Sequence, residues 1–335
     1  MKKAFLALFA LFLPFTFSGC KFMKVLRASV TLDKDIYTVE EFYAKHEKDT
    51  NYHIRSDLDL TTYKGARKVP VFHDYIYGHG HTIKAGKITS PSSDGYCGLL
   101  AFKGAILAVE ELTVEIDIEF DDEVESVGGL FDTLNCISSF RQVTMKGSIN
   151  CPNAKYIGGI LGYKNCAEED DTTSFSGCVS EMTINGGEVT GGLLGYTNTE
   201  CSVRSCTNNG NVTGKGVVGG FVGSVEYKNY DEYDDYITFQ GSNSINNGTI
   251  KGSNCVGGII GSTYMPSLDN MLLACDFQEC KNNGTIIATD DYAAGICGDA
   301  NNVSTFLKCR NTGSISEVTH HDEIANRAYK IGETR

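Results

Sequence analysis

The sequence predicts an all-β fold: a right-handed parallel β-helix or β-solenoid of about seven to eight coils, with a short capping helix at its N-terminal end. Three observations carry that prediction. A glycine phrase recurs seven times, as Gly98-Leu99-Leu100, Gly128-Gly129-Leu130-Phe131, Gly158-Gly159-Ile160-Leu161, Gly191-Gly192-Leu193-Leu194, Gly219-Gly220-Phe221-Val222, Gly257-Gly258-Ile259-Ile260 and Gly295-Ile296-Cys297. Counted from Gly98 through each second glycine to Gly295, the spacings are 31, 30, 33, 28, 38 and 37 residues, a period that belongs to solenoids and arrays. An asparagine-glycine phrase precedes the later copies, clearest around Asn208-Asn209-Gly210, Asn246-Asn247-Gly248 and Asn282-Asn283-Gly284. Third, one half of the repeat is rigid. From Cys178, Cys206 and Ser244 to the next second glycine is 14 residues each time, and from Cys280 it is 15. The other half, from Gly159 onward, measures 19, 14, 24, 22 and 14 residues, so the length variation sits there and those segments should protrude along one side of the column.

The rigid half alternates short apolar residues with Val, Ile and Thr, and is broken by Asn-Gly and Gly-Gly. Those pairs end helices and supply the positive φ of turns, so the elements are strands. The glycine pair lets the backbone turn tightly against its neighbours while the following Leu, Ile or Phe enters the core.

In chain order, residues 1–19 read as a leader. Lys2 and Lys3 precede a fourteen-residue apolar run from Ala4 to Phe17, too short for the roughly 20 residues that cross a bilayer as a helix. The run closes on Phe17-Ser18-Gly19-Cys20, which resembles the lipobox of bacterial lipoproteins. The resemblance implies cleavage before Cys20, diacylation of Cys20 and attachment to a membrane, since two acyl chains anchor stably where one is marginal. Residues 20–35 form a short basic tether. Surface-export signals of some outer-membrane lipoproteins are acidic at that point, so both the periplasmic and the surface face of the envelope fit. Thr38 with Glu41 three residues on is a capping box and predicts a short helix that covers the first coil. Residues 36–95 continue as the first coils; His53–Leu60 and Tyr77–Ile83 resemble the opening coils of parallel β-helices. Residues 96–315 are the repeats. Their glycine and asparagine-glycine phrases resemble the GLUG motif of exported bacterial proteins, adhesin-like ones among them, which implies a secreted or surface-attached solenoid. Residues 316–335 are polar, poorly periodic, and read as a cap or tail.

Loss of Lys2 and Lys3 with the leader takes the net charge from −13 to about −15. Clustered Lys and Arg are absent, which excludes nucleic acid as a partner. An acidic exported chain meets cations, glycans or basic protein surfaces instead.

Besides Cys20 there are twelve cysteines. Cys178, Cys206, Cys280 and Cys309 share one phase of the repeat, with Ser244 in the intervening coil, so they read as a ladder of small buried side chains rather than as disulfides. Cys201 with Cys206 and Cys151 with Cys166 are the off-phase pairs most open to bridging. His73-Asp74 and His79-Gly80-His81 supply too few ligands for a metal site, and no cofactor is expected. Acidic runs at Asp121–Glu125, Glu168–Asp171, Asp231–Asp235 and Asp290-Asp291 read as solvated charge, with calcium the one ion they suit. The third run is interleaved with Tyr227, Tyr230, Tyr233 and Tyr236, so Tyr227, Tyr230, Asp231, Glu232, Tyr233, Asp234, Asp235 and Tyr236 are the candidate ligand-binding residues, for a glycan or a protein. The expected function is a non-catalytic envelope lipoprotein whose scaffold presents these loops. The rivals are a polysaccharide lyase or glycoside hydrolase on the same fold, and a structural part in envelope assembly.

Overall fold

The computed structural model describes residues 31–64, 68–165, 172–226, 239–264, 275–300, 303–316, 320–325 and 329–330. Nearly all of the regular structure is β, and the named ladders are parallel, joining each coil to the next. The chain passes in turn through four stacked sheets, here called I to IV. Sheet I has eleven strands from Leu32–Ile36 to Tyr329–Lys330, and sheet II has twelve, beginning at Leu58–Asp59. Sheet III has seven, beginning at Ser126–Gly128, and sheet IV has six, from Phe131–Leu134 to Cys297–Ala300. The glycine phrase marks the coils that possess sheets III and IV. Sheet I is longer than the predicted seven to eight coils because residues 32–95 add rungs that lack the phrase.

Strand β1 (Leu32–Ile36) pairs in register with β2 (Thr50–Ile54), so the last part of the segment read as a tether is already the edge of sheet I. Between them lies helix α1 (Val39–Phe42), where the predicted capping box is complete: the Glu41 amide donates to Thr38 Oγ1 at 3.2 Å and the Thr38 amide to Glu41 Oε2 at 3.0 Å. The helix drops Phe42 into a buried aromatic group with Tyr52, Phe72 and His46. It leaves β1 itself as an open edge. Asp33, Lys34 and Asp35 on that strand are exposed charges of the kind that discourage pairing with another chain. At the other end, residues read as a cap or tail contribute His320–Asp322 to sheet III and Tyr329–Lys330 to sheet I.

Two corners are uniform. From residue 106 onward, sheet I connects to sheet II, and sheet III to sheet IV, by two residues in every coil that has both strands. The I-to-II turn begins with a left-handed residue each time: Glu111, Gln142, Gly177, Ser205, Asn243, Glu279 and Lys308, with φ of 50° to 63°. The second residue points inward, and it is here that Cys178, Cys206, Ser244, Cys280 and Cys309 fall, after Leu112 and Val143. A small donor suits this place because it reaches the carbonyl two residues back: Cys206 Sγ to Arg204 O at 3.3 Å, Ser244 Oγ to Ser242 O at 3.0 Å.

At the III-to-IV turn a Cβ on the second glycine would lie 2.1 to 2.2 Å from the carbonyl of its counterpart in the next coil at Gly129, Gly159, Gly192, Gly220 and Gly258. Only glycine lets the coils stack there. The residue after it is fully buried in every such coil. Gly98 corrects one count. The Leu100 amide bonds Leu130 O, which aligns Gly98 with Gly128, the first glycine of its pair, and Leu99 with Gly129.

The Asn-Gly phrase does more than turn the chain. Asn208, Asn246, Asn282 and Asn311 stand in register, and their side chains point into the column. Each amide nitrogen donates to the next side-chain oxygen at 2.8, 2.7 and 2.7 Å, and to the carbonyl of the glycine two residues on at 3.0 Å for the first three. That glycine's N–H donates back at 3.3 Å. An outer ladder of exposed amides, Asn209, Asn247 and Asn283, runs beside it at 2.9 Å per step. In the coil before, Glu181-Met182 replaces the phrase, and Val179–Gly186 runs as one eight-residue strand, keeping the register Ser180 to Asn208. The rest of the core is aliphatic with stacked rings, Phe140 on Phe175 at 5.1 Å and Phe277 on Phe306 at 4.7 Å. Gly241 stands in register with Phe277, and Phe239, two residues earlier, turns its ring to Phe277 at 5.2 Å.

Asn246→Leu would strip four hydrogen bonds and leave buried amide groups of Asn208, Gly248 and Asn282 without partners, a loss of about 3–5 kcal/mol. Asn247→Ala, on the exposed ladder, should lose less than about 1 kcal/mol. Urea unfolding of the two variants checks this, and equal losses would refute the inner ladder's role.

His46 gives a pH dependence. Its ring stacks on Phe72 at 4.1 Å, its Nε2 bonds Phe42 O at 3.0 Å, and its Nδ1 has no partner. Burial brings the imidazole from 6.5 down to about 4. Between those values the unfolded chain takes up a proton that the folded chain refuses, so stability is complete above about pH 6.5 and falls as pH drops toward 4, by roughly 2–3 kcal/mol at pH 4.5. His46→Phe should show a smaller difference in urea midpoint between pH 7.5 and 4.5 than the parent chain.

Candidate ligand-binding corner

The corner from sheet IV to sheet I differs from the others. Its connections run 135–136, 165–171, 198–199, 227–238, 265–274 and 301–302, so two-residue turns alternate with three long insertions. The predicted protrusion along one side thus has its roots at one corner, in coils that follow one another at about 4.8 Å per rung. Cys20, Cys166 and the candidate residues Tyr227, Tyr230, Asp231, Glu232, Tyr233, Asp234, Asp235 and Tyr236 lie outside the described residues. The acidic runs separate into two sets: Glu168–Asp171 and Asp231–Asp235, also outside the described residues, belong to this corner, whereas Asp121–Glu125 and Asp290-Asp291 sit between sheets II and III.

At the foot of the insertions the structure assembles tyrosines that the sequence reading passed over. The outer sides of sheets III and IV meet at a sharp angle, where Ser126 and Thr133 hydroxyls touch at 2.8 Å in the first full coil. One coil on, Tyr156 and Tyr163 occupy those two places, and one further, Val189 and Tyr196. Tyr156 stacks on Tyr196 at 4.6 Å and lies against Tyr163 at 5.1 Å, with Lys155 Nζ 4.9 Å from the Tyr156 ring centroid. Tyr163 donates to Asn165 Oδ1 at 3.0 Å, and so does Asn198 Nδ2, tying the starts of two corner connections together. Tyr196 donates to Glu226 Oε2 at 2.5 Å, immediately before residues 227–238. Burial and the Glu226 carboxylate push the Tyr196 hydroxyl far up, and burial raises Tyr163, so both stay protonated donors at physiological pH. The chemistry on offer is hydrogen bonding and aromatic contact at a partly covered surface, suited to a polar ligand. The signal was present in the sequence: Tyr163 and Tyr196 fall at one phase, two residues after the third glycine of Gly-Gly-Ile-Leu-Gly and Gly-Gly-Leu-Leu-Gly.

The other candidates disperse. His79 Nε2 meets His53 Nδ1 at 2.8 Å, His81 meets Asp57 at 3.2 Å, and His73 bonds Lys103 O at 2.6 Å. Among the described residues no group of three or more His, Cys, Asp or Glu side chains is placed to hold a metal ion. The eleven described cysteines carry thiols rather than disulfides, and all but Cys309 are buried. That includes Cys201 and Cys206, one of the pairs considered for bridging.

The architecture defines the class, a parallel β-solenoid with one variable corner. No family model matches the chain, and no curated protein matches it. Among solved structures it is similar to that of a putative immunoglobulin A1 protease from Bacteroides ovatus, with a TM-score of 0.55 and 14% identity over 77% of each chain, a likeness of fold alone.

Burial raises the Cys151 thiol to about 11 and pushes Cys201 and Cys297 up as well. Iodoacetamide at pH 8 should therefore leave these three unmodified in the native chain and label them in guanidinium, read by peptide mass mapping. Native labelling of Cys201 would contradict the buried core.

Proposed function

We propose that this chain is an exported, lipid-anchored envelope protein, attached through Cys20, whose solenoid is a non-catalytic scaffold for a binding corner. Tyr227, Tyr230, Asp231, Glu232, Tyr233, Asp234, Asp235 and Tyr236, rooted beside Tyr196 and Glu226, are its contact residues, and the ligand is a glycan or a protein surface. One observation carries this reading. The I-to-II and III-to-IV turns keep two residues from coil to coil, while three long insertions share a single corner above a tyrosine cluster. The apolar leader ending at Phe17-Ser18-Gly19-Cys20 supports the anchor, and the GLUG-like phrases support export.

Replacement of residues 227–236 by a Gly-Ser linker of equal length should leave the thermal transition in place and abolish ligand capture on glycan and host-protein arrays. Retained capture would refute the corner. Product release from a polysaccharide panel by the parent chain would favour the lyase or hydrolase instead. Cys20→Ala should remove the acyl mass and release the protein from the membrane fraction.

A further inference from the structure

A second polar surface lies on the outer face of sheet II, away from the corner. Two adjoining depressions of about 370 and 230 Å³ share Asp117. Lys87, Glu119, Ser148 and Asn150 complete the first; Lys84, Glu115 and Lys146 border the second, above Gly86 and Gly147. The trough is built by the backbone. Residues 82–88 carry an irregularity in register between Lys84 and Gly86, and Gly86 and Gly147 have φ of 77° and 108°, so the strands dip where neighbouring coils carry side chains.

Three lysines face three carboxylates around this trough, and much of that charge is already matched. Lys87 pairs with Glu119, Lys146 with Glu181 at 3.7 Å, and Asp117 accepts from Ser148 Oγ at 2.6 Å. A balanced lining gives no net attraction to a polyanion or a cation. What remains is a bed of donors and acceptors repeated in register from coil to coil, as in Lys87, Asp117, Ser148 and in Glu119, Asn150, Asn185, with Asn185 Nδ2 bonded to Asn150 Oδ1 at 2.8 Å. The rung spacing of about 4.8 Å is close to one pyranose unit of an extended chain. No aromatic ring lines the trough, so recognition rests on hydroxyl hydrogen bonding without stacking.

The geometry points to this trough as a binding site for a neutral, linear oligosaccharide lying along the column, independent of the insertion corner. Such an open polar site binds weakly, with a Kd of about 10⁻⁴ to 10⁻³ M.

The test is calorimetric titration of the full chain with chitohexaose, cellohexaose and mannohexaose, their disaccharides, and hexagalacturonate. At least one neutral hexasaccharide should bind, at least tenfold tighter than its disaccharide. Ser148→Arg/Asn150→Arg, which fills the trough from exposed positions, should weaken binding at least tenfold, while the 227–236 linker variant binds as the parent does. If the double variant fails to fold, Lys87→Ala/Glu119→Ala at the exposed rim serves instead, with at least a threefold loss. Absence of binding by every neutral hexasaccharide at millimolar concentration, preference for hexagalacturonate, or loss in the linker variant alone would overturn the assignment.

Discussion

The side-chain amides of Asn208, Asn246, Asn282 and Asn311 can close their hydrogen bonds only if successive coils lie in register, and that requirement disciplines the later half of the column. A slip of one residue between coils would turn every inward side chain outward and leave a row of buried amides unpaired. The glycines answer the same constraint from another corner, since the carbonyls of Gly159, Gly192, Gly220 and Gly258 come too near the preceding coil for any Cβ. Apolar burial drives collapse, but aliphatic residues pack in many registers. The amides and glycines select one.

This explains why so much of the fold was legible in the residues. The repeat announces itself through Gly-Gly and Asn-Gly because both are steric or hydrogen-bonding necessities recurring once per coil, and the Thr38–Glu41 box is local chemistry needing no tertiary context. What escaped notice follows from the same physics. Of the seven left-handed I-to-II turns only Gly177 is a glycine; Glu111, Gln142 and Lys308 give no hint of positive φ, which is imposed by the strands on either side. The first coils lack both phrases and hold register with long strands and aliphatic side chains, so Gly98 was aligned one residue off and the rungs from Leu32 to residue 95 were undercounted.

The site was legible in part. Length variation located the corner, because insertions register in the sequence as irregular spacing. The tyrosine cluster did not stand out, since Tyr156, Tyr163 and Tyr196 are separated by 7 and 33 residues and meet only when coils stack. The sheet II trough was hidden for another reason. Gly86 and Gly147 read as blemishes in a strand pattern, and only the register shows that they hollow one surface together.

The unequal corners also bear on how readily such a chain changes. Closing a loop of n residues costs entropy that grows only with the logarithm of n, so lengthening a connection from two residues to twelve adds roughly 1.6 kcal/mol. At the I-to-II or III-to-IV turns the same insertion would break the left-handed step or part the stacked glycines. The sheet IV-to-I corner is therefore the place where this scaffold can accept foreign segments, natural or grafted, at small and nearly length-independent cost.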